Sequence, residues 1–350
     1  MINVLIIGFT GIGNLVFFHP VMRNIKSHYP DCKITLITFN SKLDILVQNN
    51  LVDKIHVYPD FTHYNSYKYI KLLTKFILQM IKLRQKRYDI SFVPFSGTSV
   101  SKYHLLSWLI NAKKRYIHIS NKQIFFYRLF NDCKTTENVH DVFQNLNLIR
   151  DMVKNPSPAF YFKKPVLREE DQQLFQNAVD SKLIKIGLQP GVKAHFDDSR
   201  RWPAEKYIQL INMISKKIEV CVYLFGVEEE REILDLISSG ITCEKKLFCG
   251  ENLDKVIDVI SLMDYFVGND SSLLHIATTF SIPVLGLYGP TNPTRTAPFT
   301  SNSIFIKASK FINPKYQLGF ESDYKNGVDV NFDELSATIV YKRFCELLKC

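Results

Sequence analysis

The sequence predicts an α/β protein made of two doubly wound, Rossmann-like domains. Short apolar runs alternate with amphipathic stretches along the chain, and such runs suit strands that are buried on both faces of a parallel sheet. The alternation starts afresh after a segment with three prolines, residues 151–165, which is expected to be a linker. A chain of 350 residues has room for two domains, here 1–160 and 161–350.

The first half begins with a strand, a glycine-rich turn and a helix. The apolar residues 2–7 end at Gly8, and an amphipathic stretch through His28 follows the turn. Further strands are predicted at residues 33–39, 54–58 and 89–94, and a helix at residues 69–87.

The second half repeats the alternation. Strands are predicted at residues 185–189, 219–225, 265–267 and 284–288, and helices at residues 203–216, 228–238, 253–262, 272–280 and 332–348. Two α/β halves joined by a linker suggest that a ligand binds in a cleft between them.

The net charge of +10 is concentrated in the first half. Residues 1–155 contain 21 Lys and Arg against 9 Asp and Glu, and the rest contains 23 against 25. A general bias toward lysine would make both halves basic, so the asymmetry favours an anionic partner. Nucleic acid is the weaker choice, because no known nucleic-acid module is present.

Basic residues in the first half form two clusters. One follows the helix at residues 69–87 and contains Lys68, Lys71, Lys75, Lys82, Arg84, Lys86 and Arg87. The other combines bases with aromatic residues and contains Trp108, Lys113, Lys114, Arg115, Tyr116, Phe125, Phe126, Tyr127 and Arg128. A basic amphipathic helix can lie on an anionic membrane or meet a phosphorylated lipid, and the alternative is an ordinary solvated helix face.

Composition indicates a protein without disulfides, a zinc site or a membrane-spanning helix. The seven cysteines are scattered and form no C-x-x-C pair, which fits a reducing, cytoplasmic setting. No stretch of about 18 uncharged apolar residues occurs. The carboxylates near Asp329 and Asp333 lack the glycine and glutamate of a calcium loop, and are expected in the N-cap region of the last helix.

The segment from Gly268 to His275 is the strongest candidate for a binding site. A predicted strand ends at Gly268 and a helix begins near Ser271, so backbone N–H groups and the helix dipole favour an anion such as a diphosphate. Asp270 could cap the helix or hold a sugar hydroxyl, and His275 lies one turn further on. The alternative is a capped helix with a buried histidine.

Four segments in order resemble the donor domain of glycosyltransferase family 9, the lipopolysaccharide heptosyltransferases. That family typically has p-G…k-x-W-P, G-x-x-x-E, D-[ST]-G-x-x-H-[IL]-A and G-P-T. The corresponding segments here are Gly191 with Arg200-Arg201-Trp202-Pro203, then Gly226-Val227-Glu228, then Asp270 to Ala277, and Gly289-Pro290-Thr291. The resemblance includes the N-terminal glycine turn, so it spans most of the chain.

This resemblance implies a GT-B fold of two facing domains and inverting, metal-independent transfer without a cofactor. The second domain would bind a nucleotide sugar such as ADP-heptose, and the first an anionic glycolipid acceptor of lipopolysaccharide type. The enzyme would be cytoplasmic and peripheral on the inner membrane. The implied donor-site residues are Glu228 at the ribose, Ser271, Ser272 and Leu273 at the diphosphate, Asp270 at the sugar, Arg200 and Lys193 at the leaving group, and His275 nearby.

Two positions depart from the family pattern. Ser272 replaces a glycine, so the backbone is expected to approach a phosphate less closely. Asn14 stands where the family has an aspartate proposed as the base, and asparagine cannot take up the acceptor proton.

Three interpretations of Asn14 follow. Another group is the base, and the candidates are His19, His195, Asp197 and Asp198. Alternatively, the acceptor needs little deprotonation, or the protein is a weak or inactive relative that binds nucleotide sugars. A nicotinamide dehydrogenase is disfavoured, because the turn is G-x-x-G-x-G and Asn40 is not acidic.

Overall fold

The computed structural model describes residues 1–39, 50–58, 66–94, 101–119, 132–135, 139–160, 162–165, 182–192, 198–308 and 332–348. The chain divides into two compact units, Met1–Ala159 and Phe160–Cys350. The division falls inside the proline-containing segment 151–165. Within the described residues, no helix is both long and apolar enough to cross a bilayer.

The first unit contains a six-stranded parallel sheet. Its strands are β1 (Asn3–Gly8), β2 (Lys33–Thr38), β3 (Lys54–Val57), β4 (Ile90–Phe92), β5 (Lys114–Ile119) and β6 (Asp132–Thr135), and its helices are α1 (Ile12–His28), α2 (Ser66–Gln85), α3 (Ser101–Ile110) and α4 (Asp141–Leu146). The spatial order is β3-β2-β1-β4-β5-β6. A 3₁₀ turn at Asn147–Ile149 follows α4.

The second unit repeats this order. Its strands are β7 (Ile184–Gln189), β8 (Val220–Gly226), β9 (Glu244–Cys249), β10 (Tyr265–Asn269), β11 (Val284–Tyr288) and β12 (Ile304–Lys307). Its helices are α5 (Ala204–Ser215), α6 (Arg231–Gly240), α7 (Leu253–Ile260), α8 (Ser272–Thr279), α9 (Pro293–Thr296) and α10 (Ala337–Leu348). The strands pair in parallel as β12-β11-β10-β7-β8-β9, which, counted from β7, is the same arrangement as in the first unit.

The core of the second unit lies between its sheet and the helices packed on it. Val222, Leu224 and Val267 from the strands are inaccessible to solvent and pack in one cluster with Trp202 and Tyr207. Burying each such side chain contributes roughly 1.5–3 kcal/mol. The apolar runs in the sequence therefore form strands because both of their faces are covered.

Most predicted elements are present, but strands β5, β6, β9 and β12 and helices α3, α4 and α9 were not predicted. Strands β6, β9 and β12 are edge strands, whereas β5 is an interior strand. Strands β5, β6 and β9 begin with charged residues, and β12 is only four residues long. The last helix begins at Ala337, five residues later than predicted, and the Ser336 hydroxyl accepts a hydrogen bond from the Ile339 N–H at 3.3 Å. Asp333 therefore lies four residues before the first residue of the helix.

Each sheet has a point where the strand order reverses. In the first unit it lies between β1 and β4, and in the second between β7 and β10. In open parallel sheets, ligands bind outside the carboxyl ends of the strands at such a point. Gly8 ends β1, Gln189 ends β7 and Asn269 ends β10. The segments that resemble the family motifs therefore follow the strands at these reversal points.

Candidate functional site

The candidate site lies at the carboxyl edge of the second sheet. Because the strands are parallel, the loops that follow β7, β8, β9, β10 and β11 emerge at the same edge. These loops begin at Pro190, Val227, Gly250, Asp270 and Gly289. Four of the five contain the segments on which the family resemblance rests.

Helix α8 points its N-terminus at this edge without a side-chain cap. Its N-cap residue, Ser271, has an extended backbone with φ −150° and ψ 168°. The Ser271 hydroxyl donates to Oε1 of Gln189 instead of accepting from the first turn. The first N–H groups of a helix have no intrahelical partner. In the described part of the chain, the N-cap residue is Ser271, and its side chain accepts no hydrogen bond from these N–H groups. The N–H groups are therefore available to an anion.

Asn269 holds three segments of the site together. Its side chain is inaccessible to solvent, and Oδ1 accepts from the Trp202 backbone N–H at 3.1 Å. Its Nδ2 donates to the Pro190 carbonyl at 2.7 Å. One buried amide therefore joins the end of β10 to the loop after β7 and to Trp202, just before α5.

Asp270 is a buried carboxylate that stays ionised. His275 Nε2 lies 3.2 Å from Oδ1, and the Thr296 hydroxyl donates to Oδ2 at 3.3 Å. Burial would raise the pKa of Asp270, but hydrogen bonding from His275 and the charge of Arg200 outweigh burial, so the pKa lies below its ordinary value. The site thus presents a fixed negative charge beside the N-terminus of α8.

Arg200 brings a cation to the same place. It ends a 3₁₀ turn, Asp198–Arg200, and Nη2 donates to the Asp270 carbonyl at 2.6 Å. Nη2 also lies 3.7 Å from Asp270 Oδ2, with 12% of the Arg200 side chain exposed. A guanidinium held in this way can contact a phosphate through its other N–H groups.

Several predicted residues cannot be compared with this geometry. Lys193, His195 and Asp197 lie outside the described residues, as do Asn40 and the aromatic residues near Phe125. Asp198 is placed by its backbone alone.

His275 contacts Asp270 and is 4% exposed. The family resemblance implies a position near the bound donor. The His275 ring contacts the Asp270 carboxylate, and this contact helps to fix the orientation of Asp270. A direct contact between His275 and the donor remains a prediction.

Two glutamates follow β8, and they differ in environment. Glu228 accepts from Arg231 Nε at 2.5 Å and Nη2 at 2.8 Å, and these hydrogen bonds lower its pKa. Glu230 is 5% exposed, and burial raises its pKa. Its Oε2 accepts from the Val227 N–H at 3.0 Å.

The family spacing G-x-x-x-E, counted from Gly226, ends at Glu230, two residues after Glu228. A Cβ placed on Gly191 would lie 2.1 Å from the Glu230 carboxyl carbon, so the loop after β7 rests directly on this carboxylate. Glu230 therefore lies beneath the site, while Glu228 lies at its exposed rim. The role of Glu228 stays a prediction, and Glu230 is a candidate that the sequence reasoning missed.

In the first unit, Asn14 lies in the first turn of α1, after the loop that follows β1. Its Nδ2 donates to the Thr10 hydroxyl at 2.7 Å, which ties the side chain back to the loop. His19, one turn further on, is inaccessible to solvent. Both remain predictions as participants in catalysis.

Sequence reasoning also missed two residues next to the Gly289 loop. The Thr296 hydroxyl contacts Asp270, as described above. Lys307 ends β12 and donates to the Gly289 carbonyl at 3.0 Å, and burial lowers its pKa to about 8. Neither lies in a recognisable motif, so only the fold brings them to this edge. Within the ranges that the structure describes, no three His, Cys, Asp or Glu side chains are grouped to hold a metal ion.

Comparison with known proteins indicates one family. The family model of glycosyltransferase family 9 (heptosyltransferase) matches residues 81–318. Lipooligosaccharide heptosyltransferase 2 of Haemophilus influenzae is 25% identical over an alignment of 372 residues, which covers 99% of both chains.

Two solved structures are similar over nearly their full length. A glycosyl transferase family 9 protein from Veillonella parvula gives a TM-score of 0.75 at 18% identity, covering 99% of this chain and 98% of the other. The E. coli ADP-heptose lps heptosyltransferase II gives 0.72 at 20% identity, covering 100% and 99%. The predicted α/β fold of GT-B type is confirmed.

Proposed function

Since this chain belongs to glycosyltransferase family 9, the heptosyltransferases, it is a glycosyltransferase, and we propose that it moves heptose from ADP-heptose to a lipopolysaccharide or related surface glycan. The observation that carries the proposal is the uncapped N-terminus of α8, which lies beside the Asp270–Arg200 pair at the reversal point of the second sheet. The names of its relatives support the choice of heptose and of ADP.

The diphosphate of the donor would bind at the start of α8. The N–H groups of Ser272 and Leu273 and the helix dipole offer donors to its oxygens. Ser271 contributes indirectly, because its bond to Gln189 keeps its own hydroxyl from capping the helix. Ser272 has a side chain where the family pattern has glycine, and its hydroxyl would be an additional donor to a phosphate.

Transfer breaks the bond between the anomeric carbon and the β-phosphate oxygen. The electron pair leaves with ADP, whose negative charge increases, while the acceptor hydroxyl attacks the opposite face of the sugar and inverts the anomeric centre. Arg200 and the α8 dipole would stabilise this charge without a metal or another cofactor, with Lys193 as a second cation. The Asp270 carboxylate would accept hydrogen bonds from heptose hydroxyls. The proton of the acceptor goes to a base.

The first unit would bind the acceptor. Residues 1–155 carry a net charge of +12, which suits the phosphates and acidic sugars of an anionic glycolipid. Such an acceptor is held in a membrane. We therefore place the enzyme in the cytoplasm, peripheral on the inner membrane, with no role for nucleic acid.

A panel of nucleotide sugars tests the donor. At a concentration of about 100 times Kd, a donor stabilises the folded protein by about 2.7 kcal/mol, which is roughly 5–10 °C in Tm for a unit of this size. We expect ADP-heptose to raise the Tm most, ahead of GDP- and UDP-sugars. If no nucleotide sugar changes the Tm, the proposal fails.

The same assay distinguishes the roles of Glu228 and Glu230. We expect Glu230→Gln to reduce the stabilisation by ADP-heptose more than Glu228→Gln does, because Glu230 supports the Gly191 loop from below. Glu228→Gln is the matched control, since it makes the same change at the exposed end of the same turn. A larger effect of Glu228→Gln would instead support the ribose contact that the family resemblance implies for Glu228.

Asn14 motivates a second candidate function, a nucleotide-sugar-binding relative with little or no catalysis. We expect Asn14→Ala to change kcat by less than about tenfold, because an amide does not act as the base. The measurement is heptose transfer to a lipopolysaccharide acceptor that lacks this sugar, with Asn14→Asp in parallel. Transfer that appears only in Asn14→Asp, while the wild type binds ADP-heptose without transfer, would favour the binding protein.

A further inference from the structure

Helix α2 exposes a row of large apolar side chains. Ile77, Leu78 and Ile81 are 50%, 56% and 49% exposed, and at 100° per residue they share an arc of about 100°. The opposite side of the helix is used for packing, because Met80 and Leu83 are buried in the core of the first unit. The exposed row is therefore not part of the core.

The end of α3 extends this apolar surface. Trp108 and Leu109 are 45% and 44% exposed. Arg84 of α2 donates from Nη1 to the Leu109 carbonyl at 3.0 Å, which joins the two helices where their exposed residues lie. We call these five apolar residues with Arg84 the α2–α3 face.

The sequence segment that contains α2 and α3 is strongly basic. Residues 61–131, which include both helices, contain 13 Lys and Arg and a single acidic residue, Asp89. Asp89 is paired with Lys113 at 2.7 Å. Lys82, Lys86 and Arg87 are exposed at the end of α2. An apolar centre flanked by long basic side chains, with no acidic residue in either helix, is complementary to a negatively charged surface.

We propose that the α2–α3 face binds the surface of an anionic lipid bilayer. Apolar side chains such as Ile77 and Trp108 would enter the boundary between headgroups and acyl chains, and the basic side chains would extend to the phosphates. Binding to a protein partner would require pockets that match these side chains. Binding to a bilayer requires only apolar side chains that enter the lipid and positive charge that meets the anionic headgroups. The inference rests on the proposed function, which requires access to a membrane-held acceptor.

Vesicle co-sedimentation tests the apolar part. The purified full-length chain, without donor or acceptor, is mixed with vesicles of phosphatidylcholine alone or with phosphatidylglycerol added. We expect binding to the mixed vesicles that is at least about tenfold tighter. Ile77→Gln with Ile81→Gln should weaken it by about tenfold. Leu236→Gln with Ile339→Gln, a matched change of exposed residues in the second unit, should leave it unchanged.

A charge reversal tests the electrostatic part. Lys82→Glu with Lys86→Glu should weaken binding to the mixed vesicles and reduce its dependence on salt. Lys216→Glu with Lys217→Glu makes the same change in net charge on exposed residues of the second unit and is the control. If both pairs weaken binding equally, the effect follows net charge alone and the α2–α3 face is not the binding surface.

Two further results would overturn the inference. One is unchanged vesicle binding in the glutamine pair. The other is a wild-type dimer that becomes monomeric in that pair, as measured by light scattering, since the face would then bind a second copy. Transfer to a lipid-free oligosaccharide acceptor should be unaffected in both glutamine pairs. A wild type that binds vesicles but shows no transfer would refute the proposed function and leave membrane binding intact.

Discussion

Asp270→Asn is expected to lower kcat/KM for heptose transfer by about 10²- to 10³-fold. A hydrogen bond to a charged group contributes about 1.5–3 kcal/mol, which is roughly 10- to 150-fold in rate, and the change also removes the charge that faces Arg200. The amide is nearly isosteric, so the fold should persist. The measurement is the initial rate of transfer at subsaturating ADP-heptose.

Asp264→Asn is the matched control, because Asp264 precedes the opposite end of the same strand, β10. It accepts from the Lys185 N–H at 2.8 Å, and its side chain is 45% exposed. Its activity should stay within about threefold of wild type. If Asp270→Asn behaves in the same way, Asp270 does not contact the transferred sugar.

The pH dependence of Asp270 has a defined sign. Its pKa is lower in the folded protein than in the unfolded chain. The stability it contributes is therefore present above the unfolded pKa of about 3.9 and is lost as pH falls through the lower, folded pKa. In urea unfolding, Asp270→Asn should show a shallower loss of stability below pH of about 4 than wild type. Above that pH, Asp270 should add no acid limb to the activity profile.

The sequence predicted what depends on local pattern. Apolar runs buried on both faces gave the central strands, and the glycine and proline residues at their ends marked the loops of the site. Strands that begin with charged residues were missed, as in β9, where Glu244, Lys245 and Lys246 precede the apolar part of the strand. Their identity depends on a neighbouring strand, which a local pattern does not contain.

Contacts within the site were less predictable, because they join segments far apart in the chain. The position of Glu230 beneath Gly191 depends on the pairing of β7 with β8. The contact of Thr296 with Asp270 spans 26 residues, and that of Arg200 with Asp270 spans 70. A motif identified Asp270 as important, but its partners follow only from the strand order.

Asn269→Ala is expected to lower the free energy of unfolding of the second unit by about 2–5 kcal/mol. The change removes partners from the Trp202 N–H and the Pro190 carbonyl, and each buried group left unsatisfied costs about 1–3 kcal/mol. The loop after β7 would then lose its tether to β10. We therefore expect the donor-induced rise in Tm to shrink together with stability.

Tryptophan fluorescence can report this unit alone. The chain has two tryptophans, and Trp202 is buried with Nε1 donating to the Leu335 carbonyl at 2.9 Å. In a Trp108→Phe background, the urea transition followed by fluorescence belongs to Trp202. Trp108 is exposed, so this background change should have little effect on stability.

Asn212→Ala provides the control for burial. Asn212 makes the same kind of bridge, with Oδ1 accepting from the Thr242 N–H at 3.1 Å and Nδ2 donating to the Gly240 carbonyl at 3.0 Å. It is partly exposed, so water can replace the lost amide, and the expected cost is about 1 kcal/mol. Equal costs at Asn212 and Asn269 would mean that the bridge at the site contributes no more than an ordinary surface hydrogen bond. A larger cost at Asn269, with weaker donor binding, would show that this buried amide fixes the donor loops in place.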